Sequence, residues 1–298
     1  MRKYLFLIVI SILLTHSGFG QKGDSLFQLE LPRISWVNQG NSYITFPTDI
    51  GNIEPLWFEG NVIPNFYIRQ NKTSRLMGVL TPQIIVRMFR EESFPVRTPS
   101  YIPQITVYYD FKEKRDWPNY SIYGRIAHHS NGQDGDFFLE NGEINLKTGN
   151  FSTNYLELGF ITTNINTRFK AYQFFKTSFE IHPDAFIQDE LKGIYSQYRW
   201  HTAFSIFKLS QKENQSLPKK PAFSIKGETT WKFGNYNSLV SLSPERLNLS
   251  LTFYYHPKFL EDIGLFVQYY HGSDYYNMYF DHRLDVLRFG FMTETLRF

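Results

Sequence analysis

Apolar and polar residues alternate with a period of two through many separate segments of this sequence. Successive side chains of a β-strand point to opposite faces, so each such segment predicts a strand with one apolar and one polar face. The clearest segments are 105–111, 119–130, 155–160, 223–233, 247–254 and 263–269. In one of them, Lys226, Glu228 and Lys232 all fall on the same face. The pattern therefore predicts an all-β protein.

The number and length of these segments favour a barrel that crosses a membrane. Further strands are predicted at 42–48, 65–70, 82–90, 169–181, 194–209 and 284–298. The total is about twelve, many of them near the ~10 residues that a tilted membrane strand needs. A soluble β-sandwich also alternates, but 20 Tyr and 29 Phe in 298 residues suit the aromatic girdles of a barrel. We therefore expect a transmembrane antiparallel β-barrel in a bacterial outer membrane.

The ends and the composition of the chain define its organisation. Arg2 and Lys3, the apolar run 4–14 and small residues up to Gly20 predict a signal peptide over 1–20. Residues 21–41 show no clear period and are interpreted as an N-terminal extension before a barrel over 42–298, with a loop at 51–60. Cysteine is absent and the net charge of +3 comes with no basic cluster, which argues against disulfides, thiolate metal sites and nucleic-acid binding.

Three polar side chains fall on the apolar, lipid-facing side of two consecutive strands. His128 and Ser130 continue the apolar face of 119–130, and residues two apart on a strand lie roughly 6 to 7 Å apart. A base beside a hydroxyl is the arrangement that activates a serine nucleophile. Asn154 shares the apolar face of the next strand, where it can orient the imidazole. A neutral amide costs less to place against hydrocarbon than a carboxylate would.

These residues also form a sequence motif. His128-x-Ser130-Asn131-Gly132, followed by Ser152-x-Asn154, resembles the motif of the outer-membrane phospholipases A, and the stretch 93–104 is similar to that family's first extracellular loop and following strand. The resemblance implies a phospholipase A1/A2 that hydrolyses acyl esters of phospholipids in the outer leaflet. It also implies His128 as general base, Ser130 as nucleophile and Asn154 as the orienting residue.

The same resemblance implies a calcium ion close to the oxyanion. The ligand positions fall on Ser93, on the backbone carbonyl of Gln133 and on Asn150, where the family has serine and an amide oxygen is still an acceptable ligand. The loop 133–149 is longer than that of the family, and its acidic side chains are alternative or additional ligands, namely Asp134, Asp136 and Glu140.

The resemblance further implies an active homodimer, in which two lipid-facing walls enclose the acyl chains and complete the calcium site. Gln83 is a candidate polar residue at that interface.

Two other functions stay open: a lipid A deacylase, whose small barrels carry a similar His-x-Ser-Asn stretch with a glutamate as orienting residue, and a catalytically silent channel or scaffold barrel. His129 is expected to face the lumen, as a structural residue. The other histidines are interpreted as turn or lumen residues: His182, His201, His256, His271 and His282.

Overall fold

The computed structural model describes residues 30–46, 50–71, 74–111, 118–166, 168–209 and 221–293. The predicted signal peptide lies outside these residues. The elements are helix α1 (Leu31–Gln39) and strands β1 (Tyr43–Thr45), β2 (Leu56–Val62), β3 (Phe66–Ile68), β4 (Leu76–Phe89), β5 (Ser100–Asp110), β6 (Asn119–Ser130), β7 (Ser152–Asn166), β8 (Ala171–Ile181), β9 (Tyr198–Leu209), β10 (Pro221–Phe233), β11 (Leu247–Tyr255), β12 (Ile263–Ser273) and β13 (Arg283–Thr293). Short 3₁₀ helices lie in the loops, at Asp184–Phe186, Asp189–Leu191, Pro244–Arg246 and Asn277–Tyr279.

The strands form one closed antiparallel sheet. From β4 to β13, each strand pairs with the next along the chain, and β13 then pairs with β1, β1 with β2, and β2 with β4. Because β2 and β3 pair with successive parts of β4, the thirteen strands among the described residues occupy twelve positions around the ring. The predicted twelve-strand barrel is confirmed. Closure leaves no free sheet edge, which is the condition for a sheet to cross a bilayer.

The outer surface of the barrel is apolar and aromatic. Along β5, inward and outward side chains alternate in burial without exception. Large apolar side chains stand exposed on the outward positions of the neighbouring strands as well, for example Ile126 on β6 and Leu158 on β7. A closed barrel with such a surface is a bacterial outer-membrane β-barrel, as the sequence predicts. Among the described residues, no helix is long and apolar enough to span a membrane.

The extension that precedes the barrel contains a helix that packs inside it. Leu31 and Ile34 of α1 are buried against inward-facing side chains near the barrel end opposite the β6–β7 loop, and these partners include Met77, Tyr108, Tyr123, Ile161, Tyr172 and Phe174. Asn38 donates a hydrogen bond to the Tyr108 hydroxyl at 2.8 Å. Gly40 ends the helix with a φ of +87° and donates its N–H to the carbonyl of Trp36, a conformation that glycine adopts without strain. The short apolar stripe of α1 thus fills one end of the lumen.

The helix is expected to contribute to the stability of the whole barrel. Ile34 is fully buried, so Ile34→Ala should lower the free energy of unfolding by about 2 to 4 kcal/mol through lost burial and the cavity left behind. Guanidinium titration of the protein in detergent measures this. Ile50→Ala is the matched control, because Ile50 is 64% exposed. An equal loss in both variants would contradict the packing of α1 in the lumen.

Loops fold over the other end of the barrel. The loops that follow β6, β8 and β12 meet in one apolar cluster, formed by Phe137, Phe151, Ile187, Leu191, Tyr195, Met278 and Phe280. A cavity of about 460 Å³ in the lumen is lined both by Gln39 of α1 and by Phe280 of this cluster. Several charged side chains inside the barrel form ion pairs: Arg87 bonds Glu59 and Asp274, and Arg125 bonds Glu157. The lumen is therefore occupied by protein at both ends.

Two local predictions are wrong. The predicted loop 51–60 is a loop only as far as Pro55, since β2 begins at Leu56 and pairs with β4. Gln83, the candidate interface residue, points into the lumen, where it donates to Asn61 at 3.0 Å and accepts from Gln104. The apolar run at 84–86 hides the strand parity from the sequence, because three apolar residues in a row fit either face.

Candidate active site

Strand pairing brings two of the three predicted catalytic side chains face to face. In the antiparallel β6–β7 pair, His128 lies directly opposite Asn154 and Ser130 opposite Ser152. The outward positions of β6 are its even-numbered residues, so both predicted catalytic residues of that strand share the lipid-facing side with Asn154. All three lie at the end of the barrel that carries the long β6–β7 loop.

A hydrogen bond links the imidazole to the amide. Nδ1 of His128 lies 2.9 Å from Oδ1 of Asn154, and Nδ2 of Asn154 donates to the carbonyl of Phe186 at 2.9 Å. Because that second bond fixes which end of the amide faces the imidazole, Nδ1 must carry the proton as the donor. In a neutral imidazole with this tautomer, Nε2 of His128 is the nitrogen that can accept a proton from a serine hydroxyl.

Ser130 is the last residue of β6, at the edge of the apolar wall. It pairs with Tyr101 of β5 on one side and Ser152 of β7 on the other. Its side chain is partly exposed and points to the same side as His128, two residues earlier. A hydroxyl at this place is accessible from the lipid side of the barrel rather than from its lumen.

An apolar column runs along the wall next to the His128–Asn154 pair. Ile126 and Leu156 are paired directly behind it and are 65% and 48% exposed, and Leu158, on the same face, is 69% exposed. Side chains on this column would lie against acyl chains in a bilayer. A lipid whose tails follow the column presents its ester region near the strand ends, where the three polar side chains lie.

The lumen side of the same strands is held by a buried polar network. Thr153, between Ser152 and Asn154, bonds Nδ1 of His182 at 2.8 Å, and Nε2 of His182 bonds Glu180 at 2.8 Å. Burial lowers the pKa of His182, which lies just beyond the end of β8, below its ordinary value and so favours the neutral ring. A neutral ring that donates to the Glu180 carboxylate accepts from the Thr153 hydroxyl. His129 faces inward, as predicted, and bonds Ser100 at 3.0 Å.

Asn131 fastens the two arms of the β6–β7 loop. It is 1% exposed, its Nδ2 donates to the carbonyl of Gly149, and its Oδ1 accepts from the N–H groups of Gln133 and Phe151. The asparagine of the motif therefore joins the end of β6 to the start of β7. Such a tie holds the strand ends that carry Ser130 and Asn154 in register.

The three predicted calcium ligands lie on loops at this end of the barrel. Gln133 and Asn150 are on the two arms that Asn131 joins, and Oδ1 of Asn150 accepts from the side chain of Gln188 at 2.5 Å. Ser93 is exposed on the β4–β5 loop. All three supply neutral oxygen atoms, which suit a hard cation, and an amide oxygen that accepts one hydrogen bond retains a second lone pair. Within the described part of the chain, no cluster of three or more histidine, aspartate or glutamate side chains could hold a metal.

Two contacts of the site were beyond the reach of sequence reasoning. Phe186 and Gln188 bond residues of the predicted site from the β8–β9 loop, more than 30 positions further along the chain. Neither residue belongs to a motif, and Phe186 acts through its backbone carbonyl, which every residue type possesses. No signal in the sequence could have identified them.

No protein-family model matches this sequence, and no curated protein matches it. Several solved structures are similar to it. The outer membrane phospholipase A from Escherichia coli is similar at 11% identity and a TM-score of 0.60, over 90% of this chain and 99% of that one. The Salmonella typhi outer membrane phospholipase dimer with bound calcium is similar at 10% identity and a TM-score of 0.58, over 92% and 94%. A likeness to the NanC porin is weaker, with a TM-score of 0.45.

At this level of identity, the likeness establishes the fold. The chain has the fold of the outer membrane phospholipase A structures over nine-tenths of its length. The arrangement of its own side chains has to supply the rest of the functional argument.

Proposed function

We propose that this protein is a calcium-dependent phospholipase A of the bacterial outer membrane, which cleaves acyl esters of phospholipids from the lipid side of its barrel. The observation that carries the proposal is the hydrogen bond between His128 and Asn154 on the apolar outer wall. A charged or strongly polar pair is costly on a lipid-facing surface and marks function when it occurs there. Ser130, on the same face of the same strand, supplies the nucleophile.

The reaction would proceed in two halves. The Ser130 oxygen attacks the acyl carbonyl while Nε2 of His128 takes its proton, and collapse of the tetrahedral intermediate returns that proton to the oxygen of the departing lysophospholipid. Water then attacks the acyl-serine, again giving its proton to Nε2, and the fatty acid is released with the proton restored to Ser130. Asn154 holds the imidazole in the productive tautomer throughout.

A bound calcium ion would polarise the ester carbonyl and stabilise the oxyanion. The residues that would hold it are Gln133 through its carbonyl, Asn150 through its amide oxygen and Ser93 through its hydroxyl. With no carboxylate among these three, the site would bind weakly. Weak binding agrees with a site that is completed only when two copies meet, and the Salmonella typhi protein is described as a dimer with bound calcium.

The proposal is tested by presenting purified protein with phospholipid in mixed micelles and, separately, with lipid A, and by measuring the fatty acid released. Release from phospholipid supports the phospholipase. Release from lipid A alone would support the deacylase instead, although Asn154 at the orienting position and twelve strand positions argue against it. No release from either substrate would leave a silent barrel, and its lumen contains helix α1 and the loop cluster rather than an open channel.

Calcium dependence gives a separate prediction. Chelation is expected to lower phospholipid hydrolysis by about tenfold or more, because the ion stabilises charge in the transition state. Asn150→Ala should raise the calcium concentration for half-maximal activity by about tenfold. Asn141→Ala is the matched control, since Asn141 lies on the same loop and its side-chain amide forms hydrogen bonds with Glu143. Activity that is indifferent to chelation would contradict the metal site.

A further inference from the structure

A segment of the β8–β9 loop pairs with the start of β7 through a single β-bridge. Thr153 and Ile187 form an antiparallel bridge. The N–H of Gln188 donates to the carbonyl of Ser152 at 3.2 Å. These contacts place the segment beside the residues of β7 that the proposed reaction uses.

The side chain of Gln188 uses both ends of its amide on this strand. Its Oε1 accepts the N–H of Ser152 at 3.0 Å, and its Nε2 donates to Oδ1 of Asn150 at 2.5 Å. Two residues earlier, the carbonyl of Phe186 accepts from Asn154. The segment therefore bonds three alternate residues of the chain, one of them the proposed orienting residue and one a proposed calcium ligand.

Two buried apolar side chains anchor the segment to the loop cluster. Ile187 is 6% exposed and Leu191 is fully buried, and both belong to the apolar cluster that contains Phe151, the residue just before β7. An anchored backbone can hold a hydrogen-bonding partner in one orientation, whereas a loose one would let the partner rotate. The Phe186 carbonyl is thus a fixed acceptor for the Asn154 amide.

We propose that Gln188 is a positioning residue of the active site, acting through Asn154 and Asn150. It pins the Phe186–Gln188 segment to β7, which holds the Asn154 amide with its oxygen toward His128, and it directs the Asn150 oxygen. This inference rests on the proposed function. The hydrogen bonds of Gln188 go to Ser152 and Asn150 rather than to His128 or Ser130. Gln188 would therefore affect the reaction through the positions of the two asparagines.

Loss of this contact should reduce turnover more than substrate binding. In Gln188→Ala, the Ser152 N–H loses its side-chain acceptor and Asn150 loses its donor. The Phe186–Gln188 segment is then held on β7 by fewer contacts, so the Phe186 carbonyl holds the Asn154 amide toward the imidazole less firmly. Misplacement of a catalytic group by about 1 Å costs up to about a hundredfold in rate. We expect a kcat lower by about tenfold to a hundredfold, with KM within about twofold because the lipid-facing wall is unchanged.

Gln188→Glu separates the two roles of the side chain. A carboxylate still accepts from the Ser152 N–H but cannot donate to Asn150. We therefore expect kcat at saturating calcium within about threefold of the wild type, with a several-fold change in the calcium concentration for half-maximal activity. Because the acceptor is retained, this variant also keeps the proposal falsifiable should the alanine variant fail to fold.

The experiment measures kcat, KM and calcium dependence of the full-length protein in phospholipid mixed micelles. Gln268→Ala is the matched control: Gln268 is on β12, and its amide donates to Ser250 and Thr252 inside the lumen. The variant Gln188→Ala is also combined with Asn154→Ala. If Gln188 acts through Asn154, it should lower kcat by less than about twofold in that background, since residues acting as one unit are not additive.

The proposal would be overturned if Gln188→Ala had the same kcat as the Gln268→Ala control. It would also be overturned if Gln188→Ala lowered kcat by the same factor in the Asn154→Ala background as in the wild type. A Gln188→Glu protein as impaired as the alanine variant at saturating calcium would overturn it too. Failure of the proposed function is distinguished by Ser130→Ala, which would then be as active as the wild type.

Discussion

Ser130→Ala is expected to abolish phospholipid hydrolysis, with kcat/KM falling by at least about a thousandfold. Alanine lacks the oxygen that forms the acyl intermediate. The barrel itself should be unaffected, because Ser130 lies at the end of β6 and its backbone pairing is independent of the side chain. Fatty-acid release from mixed micelles by folded, detergent-purified protein measures the effect.

The chain supplies a closely matched control for that variant. Ser224 bonds Nε2 of His256 at 2.7 Å, so it is also a serine beside a histidine, but it is buried on the lumen side of β10. Ser224→Ala should retain nearly full activity, because a bilayer ester cannot reach the lumen. Equal activity of the Ser130→Ala and wild-type proteins would refute the catalytic assignment.

Adjacent histidines on opposite faces of β6 give the second large effect. His128→Ala is expected to lower kcat by about a thousandfold or more, since it removes the general base. His129→Ala removes a ring that is buried and bonded to Ser100, so it should cost about 1 to 3 kcal/mol of stability while the folded protein keeps most of its activity. The two side chains are adjacent in the sequence but lie on opposite sides of the barrel wall.

This pair is measured by steady-state hydrolysis and by covalent labelling with an alkylsulfonyl fluoride, which reports the reactivity of Ser130 without turnover. Labelling should be slow in His128→Ala and near the wild-type rate in His129→Ala. The thermal stability in detergent should be lower for His129→Ala than for His128→Ala. The reverse outcome, with the inward histidine essential for labelling, would mean that the site faces the lumen.

Alternation in the sequence predicted correctly which face of β6 and β7 carries the candidate site residues. The parity of β6 and β7 correctly puts His128, Ser130 and Asn154 on the outer face, because parity is a local property of the backbone. It does not specify which residue lies opposite which. The register that sets Asn154 against His128 depends on how the 21-residue loop between the strands is folded, and Asn131 bridges the arms of that loop.

Parity failed where the local composition was ambiguous. Gln83 precedes three apolar residues, so either face fits, and its hydrogen bonds with Asn61 and Gln104 assign it to the lumen. Residues 51–60 contain two glycines and a proline, which indicated a loop, yet the part from Leu56 onward pairs with β4. In both places the rest of the barrel, rather than intrinsic preference, fixes the conformation.

The alternation of apolar and polar residues was thus enough to specify a lipid-facing barrel and to identify which side chains share its outer wall, since each residue's face follows from its position along the strand. Contacts between distant segments were not encoded in that way. The packing of α1 into the lumen, the turn of the Asn154 amide toward His128 and the bridge from Gln188 to β7 each join residues separated by dozens of positions. Such contacts exist only once sheet closure has brought those segments together, because burial and hydrogen bonding act between neighbours in space.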